Sequence, residues 1–217
     1  MSGRPFLGPG ELIESVLAGD DPDVSTGYSA NALVLAPSGQ AGETHVCGEL
    51  LSVFDDVNVL GVAVEHGPGY YERVWERHFD GSVARLGVVD VGTDAADTEH
   101  VRTVADVGDL TGIGITVTEF VRRWADADEP TVVCFDSLTP ILRYTELDRA
   151  YRFLDVTTGR LDRVCAVSHA HINPLAHDEQ TLQQLMGVFD AVVEPADADT
   201  DGDGGGDPAA GWRVRRA

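Results

Sequence analysis

The chain has 217 residues, 43% of them hydrophobic, and carries 37 acidic against 15 basic residues for a net charge of −22. All 15 basic residues are arginines and there is no lysine. Such a field repels a nucleic-acid backbone, whose binding needs clustered Lys/Arg, and no apolar run approaches the ~20 residues that cross a bilayer.

The length suits one domain over residues 1–217 with a single core. The N-terminal stretch MSGRPFLGPGELIESVLAGDD lacks a basic segment followed by an apolar one, so it does not read as a secretion signal. The expected compartment is the cytoplasm, without nucleic-acid or membrane partners. The acidic excess is spread over clear apolar segments, which suits a saline cytoplasm where screening removes most self-repulsion. This Asp-rich, lysine-free composition resembles that of haloarchaeal proteins. Cys47, Cys134 and Cys165 sit in apolar stretches. Their number and spacing fit neither a disulfide framework nor a metal knuckle, and they read as buried free thiols.

In chain order, short β-branched apolar runs predict strands at Ala32–Leu35, Val57–Val64, Ala84–Val89, Thr131–Phe135, Val164–Val167 and Ala191–Val193. Amphipathic helix patterns lie between most of them. HVCGELLSVFDD follows the first strand and GYYERVWERHFD the second. ITVTEFVRRWADAD, ELDRAYRFLDVTTGRL and DEQTLQQLMGVF precede the fourth, fifth and sixth. Alternation of this kind implies βαβ units, hence an α/β fold with a mostly parallel sheet covered on both faces. Residues 92–112 read as a polar surface loop, and 195–210 as an acidic, Gly-rich mobile loop. The closing WRVRRA alternates and predicts an edge strand antiparallel to Ala191–Val193.

The stretch Pro37–Thr44 reads P-S-G-Q-A-G-E-T between a strand and a helix. A phosphate-binding loop G-x-x-x-x-G-K-[ST] needs backbone N–H groups to cradle phosphate, a lysine for charge and a hydroxyl for Mg²⁺. Gly42 and Thr44 fit; Pro37 replaces the first glycine and Glu43 the lysine, while Ser38 and Gly39 fit a turn. TVVCFDSLTPIL ends a strand in Asp136-Ser137, the form of a Walker-B strand, and Glu65 ends the second strand where it can polarise a water. In another reading Asp136 caps a strand end, Thr44 caps a helix, and Glu43 fills the old anion site itself.

These segments, in the order ELIESVLAGD, NALVLAPSGQAGETH, VLGVAVEH, TVVCFDSLTPIL, VCAVSHAH and FDAVVE, resemble the RecA-like fold and its KaiC-like branch over roughly residues 8–195. They are similar to a haloarchaeal set of RecA/KaiC-like proteins of largely unknown function. The resemblance implies a RecA-like three-layer fold. It carries Asp136 over as the Walker-B aspartate, Thr44 as the Mg²⁺ hydroxyl and Glu65 as half of an acidic pair. Because the protein contains no lysine, none can replace the missing one. Trading attraction for repulsion at ~4 Å is a swing of roughly 8 kcal/mol at an effective dielectric near 20, as large as a micromolar affinity.

The expectation is therefore a non-catalytic, degenerate P-loop protein, a pseudo-ATPase with no cofactor. It would regulate or scaffold through a protein partner, an active paralogue or self-association. One alternative is an ATPase that binds Mg-ATP through a non-standard loop and uses Asp136 and Glu65. Another is a metal-dependent hydrolase built on His169, His171 and His177, read as following a strand, where alternate histidines on an extended segment face one way. In the same segment Asp178 reads as the cap of a helix starting near Glu179.

Overall fold

A computed structural model describes residues 29–37, 46–48, 51, 54–78, 81–195 and 212–217. The loop positions Ser38, Gly39, Gly42, Glu43 and Thr44, and the acidic segment 196–211, lie outside the described residues.

Among the described residues eight strands form one sheet: β1 (Ala30–Leu35), β2 (Asp56–Ala63), β3 (Ser82–Val91), β4 (Val101–Val104), β5 (Thr131–Phe135), β6 (Val167–Ile172), β7 (Ala191–Pro195) and β8 (Trp212–Arg216). Their spatial order is β4-β3-β2-β5-β6-β1-β7-β8. Every neighbouring pair is parallel except β7 and β8, which run antiparallel from Ala191 opposite Arg216 to Pro195 opposite Trp212. The α/β class, the largely parallel sheet and the C-terminal antiparallel edge strand thus stand as the sequence predicts. The central strands are buried on both faces, so β5 and most of β1 and β2 read as apolar rather than alternating runs, whereas β6 (VSHAHI) carries a serine and two histidines.

The helices are α1 (Pro68–His78), α2 (Leu110–Trp124), α3 (Thr139–Tyr144), α4 (Leu147–Asp162) and α5 (Glu179–Met186), with a 3₁₀ turn at Pro174–Ala176. Residues 46–48 and 51 are also helical. One face of the sheet packs Leu60, Val62, Val133 and Phe135 against α2, α4 and α5. The other packs Val57, Val59, Val132 and Cys134 against α1 and the helical residues Cys47 and Leu51. Asp109 starts α2 by accepting from the Gly112 N–H, and Asp178 starts α5 by accepting from the Thr181 N–H, so Asp178 caps the helix as predicted. Among the described residues no helix is long and apolar enough to cross a membrane.

Two predicted segments differ from the fold. Residues 92–112 contain β4, paired with Val88–Val91, and the start of α2. Four residues at the sheet edge, only one of them fully buried, carry too little apolar pattern to stand out. The predicted strand at Val164–Val167 is displaced: α4 runs to Asp162, Cys165 takes the left-handed φ of 53°, and β6 begins at Val167. The histidines predicted to follow that strand lie inside it.

At the amino-terminal edge, Asn31 is 2% exposed and ties three elements together. Its amide donates to Asp162 (2.8 Å), its backbone N–H to Asp190 (2.8 Å), and its carbonyl accepts from Ser168 (2.6 Å). A buried amide is tolerable only when satisfied in this way.

Candidate functional site

In a parallel sheet all carboxyl ends share one edge, which is where ligands of open α/β sheets lie. The ends of β1, β2, β5 and β6 bring Pro37, Glu65, Asp136 and His171 to that edge.

Asp136 is 4% exposed and its carboxylate is occupied by the chain itself. Oδ1 accepts from the backbone N–H of Val64 (2.8 Å) and Glu65 (3.2 Å). Oδ2 accepts from the N–H of Glu65 (3.2 Å) and His66 (2.8 Å). His66 Nδ1 lies a further 3.3 Å from Oδ2, with its ring stacked on Tyr70 at 4.0 Å. Three successive N–H groups form a nest around a fixed anion. A carboxylate offers about four lone-pair sites, so these contacts use its whole accepting capacity. Glu65 contributes its backbone, and its side chain is exposed. Ser137 is buried and its hydroxyl accepts from the Thr139 N–H at 3.3 Å, as a turn residue does.

Beside this nest the sheet assembles a second group. His169 and His171 are two apart on β6, so they share a face, and Cys134 of β5 stands in register with His169. Cys47 approaches from the helical residues above. Its Sγ lies 4.0 Å from Cys134 Sγ, 3.2 Å from His171 Nε2 and 3.3 Å from His169 Nε2. All four are buried, at 7% exposure for Cys47, 3% for Cys134, 1% for His169 and 2% for His171. The Cys47 thiol is held well below its usual pKa by the hydrogen bond with Cys134, then by His171 and His169, against burial, which pushes it up. The cavity bounded by Cys47, Tyr71, Cys134 and His171 measures about 10 Å³, room for roughly one water. Tyr71 closes it, donating its hydroxyl to the Val62 carbonyl (3.1 Å), and burial first, then the Asp136 charge, raises its pKa well above the usual value.

Of the predicted histidine trio, His169 and His171 do meet, but His177 does not join them. It lies beyond the 3₁₀ turn, half-buried, with Nε2 3.2 Å from Thr139 Oγ1. Cys47 and Cys134 are the partners that sequence spacing concealed, because 87 residues separate them. Cys165 is exposed, contrary to the buried-thiol expectation: it sits in a turn, not a strand.

Burial, then the nearby Arg143 cation, lowers the pKa of His177 below its usual value, with Asp178 opposing. The unfolded chain therefore takes up this proton first, and the folded state loses stability as pH drops below about 6.5. His177→Gln should flatten that part of the pH–stability curve, and a wild-type His177 NMR titration midpoint at or above 6.5 would refute it.

Fold and site together define an α/β protein with a helix-covered, mostly parallel sheet and a saturated carboxylate beside a buried thiol–imidazole cluster. The chain belongs to DUF7504, a family of unknown function, matched over residues 29–195. No curated protein matches it. A solved structure from a structural study of a Pyrococcus horikoshii OT3 protein is similar at 15% identity and a TM-score of 0.47, over 76% of this chain and 81% of that one.

Proposed function

We propose that this protein is a non-catalytic relative of the RecA/KaiC-like ATPases that regulates or scaffolds by protein–protein contact, with a partner such as an active paralogue or with itself, in a haloarchaeal cytoplasm. The observation that carries this reading is the saturation of Asp136. A Walker-B aspartate orients Mg²⁺ and its water through free lone pairs, whereas this one is spent on the N–H groups of Val64, Glu65 and His66. Glu43 at the lysine position argues the same way, because it adds negative charge where a phosphate would sit.

A contact surface is at hand on the opposite face. Arg122, Arg123, Arg160 and Arg163, four arginines against the single carboxylate of Glu119, border a groove of about 810 Å³ between α2 and α4, and Ile115 beside them is 51% exposed. On a chain of net charge −22, arginines gathered around an apolar side chain suit an acidic protein segment, with electrostatics setting specificity and apolar contact the affinity.

Thermal unfolding with Mg-ATP or Mg-ADP tests the reading. A ligand that binds only the folded state, present at a hundred times its Kd, stabilises by about 2.7 kcal/mol. Wild type should show no shift, and Glu43→Lys should gain one if only the charge bars phosphate. A nucleotide shift in wild type, with Mg²⁺-dependent turnover lost in Asp136→Asn, would establish the ATPase alternative instead.

A further inference from the structure

We propose that Cys47, Cys134, His169 and His171 form a closed four-ligand site for a soft divalent metal ion, with Zn²⁺ the best fit, that fastens the helical residues around Cys47 to strands β5 and β6. Two thiolates and two imidazoles without a carboxylate are the donor set that selects zinc over Mg²⁺ or Ca²⁺. Geometry points the same way. A tetrahedral ion with Zn–S near 2.3 Å and Zn–N near 2.0–2.1 Å requires ligand edges of about 3.8 Å for S–S, about 3.5 Å for S–N and about 3.3 Å for N–N. The sulfurs stand 4.0 Å apart, the Cys47–histidine edges are 3.2 and 3.3 Å, and all four ligand atoms lie within 4.8 Å of one another. Closing the tetrahedron therefore needs side-chain shifts below about 1 Å, well within rotamer adjustment.

Hydrogen bonding alone accounts for the cluster less well. Three polar neighbours converge on the single Cys47 sulfur, while His169 Nδ1 is buried with no hydrogen-bond partner among the described residues. Of the two ring nitrogens of His169, Nε2 faces the sulfur and is the one placed to take the metal. The adjoining cavity of about 10 Å³ admits no organic substrate. Closed, four-ligand zinc sites are structural, whereas catalytic ones keep an open position. The histidines thus serve architecture here, not hydrolysis. The ligands come from three elements far apart in sequence, so the ion would join residue 47 to 134 and to 169–171. Cys47 stands only three residues beyond Thr44, so the same ion would anchor the chain leaving the P-loop-like stretch.

The test is reconstitution of the full chain, stripped of metal by a chelator, with Co²⁺ and then Zn²⁺. We expect one Co²⁺ per chain with the intense visible bands of a tetrahedral ion and thiolate-to-cobalt charge transfer, all erased by one equivalent of Zn²⁺. Changing the second shell of a metal site costs about 10–100-fold in affinity, so Cys47→Ser, a lost ligand, should weaken binding at least about 100-fold. Cys165→Ser and His177→Ala should bind like wild type. Weak octahedral bands, sub-stoichiometric uptake, or loss of binding in Cys165→Ser would overturn the proposal. Should Cys47→Ser fail to fold, the spectrum of wild type decides. With Co²⁺ bound at one equivalent, wild type must show thiolate-to-cobalt charge transfer, and full occupancy without it, or a Cys47–Cys134 disulfide in the loaded protein, refutes the site.

Discussion

Replacing Asp136 by alanine is expected to remove about 3–5 kcal/mol of stability, read as a lower urea midpoint at unchanged slope. The carboxylate holds the N–H groups of Val64, Glu65 and His66 as β2 gives way to the turn before α1. Hydrogen bonds to a charged group contribute about 1.5–3 kcal/mol each, and a buried donor left unpaired costs a further 1–3. Water can reach part of this turn, since Glu65 is exposed, so the full sum is not expected. Asp136→Asn tests the role more finely. It keeps the shape and one acceptor but turns an NH₂ toward an N–H, and should lose roughly half as much. An Asp136→Asn protein as stable as wild type would sink the structural account of Asp136 and return it to the list of catalytic candidates.

Gly61→Ala is expected to destabilise by about 3 kcal/mol, although alanine is a small change on a strand. A Cβ on Gly61 would stand 2.7 Å from Tyr71 Cδ1 and Cε1 and 2.9 Å from Cζ. The ring has nowhere to retreat. Tyr71 is 2% exposed, its hydroxyl is bound to Val62, and Trp75 packs 5.0 Å from it. Gly61 also stands in register with Cys134, so the missing side chain is what lets the ring lie over the sheet beside the thiol–imidazole cluster. Tyr71→Leu should relieve the clash, and the double variant should be less destabilised than the sum of the singles by at least about 1 kcal/mol. Strict additivity would show that the ring and Gly61 are not coupled.

Much of the framework was legible in the chain. Thr131–Phe135 is a strand with the predicted ends, and β2 differs from prediction by one residue at each end, because strands buried on both faces are rich in β-branched and other apolar residues. Trp212–Arg216 was recognisable as an edge strand from its alternation. β4 and α3 were not, being short and stabilised mainly by neighbours rather than by local pattern. The displacement of β6 has one cause: Val164–Val167 is apolar, whereas the true strand VSHAHI carries two histidines, which rank as surface residues until a partner is known. Their alternate spacing was the signal, and it did place His169 and His171 together.

By itself, then, the sequence determined the α/β class, the parallel sheet with its antiparallel edge, the absence of any lysine to bind phosphate and the pairing of the two histidines. Each of these follows from composition or from a period of two or 3.6 residues, which are local properties. Tertiary structure alone decided that Asp136 is spent on backbone N–H groups, that His177 stands apart, and that Cys47 and Cys134 complete a buried cluster with His169 and His171. Those facts depend on which strand ends lie side by side. Strand order β2-β5-β6-β1 brings together residues up to 137 positions apart, and no local pattern records that neighbourhood.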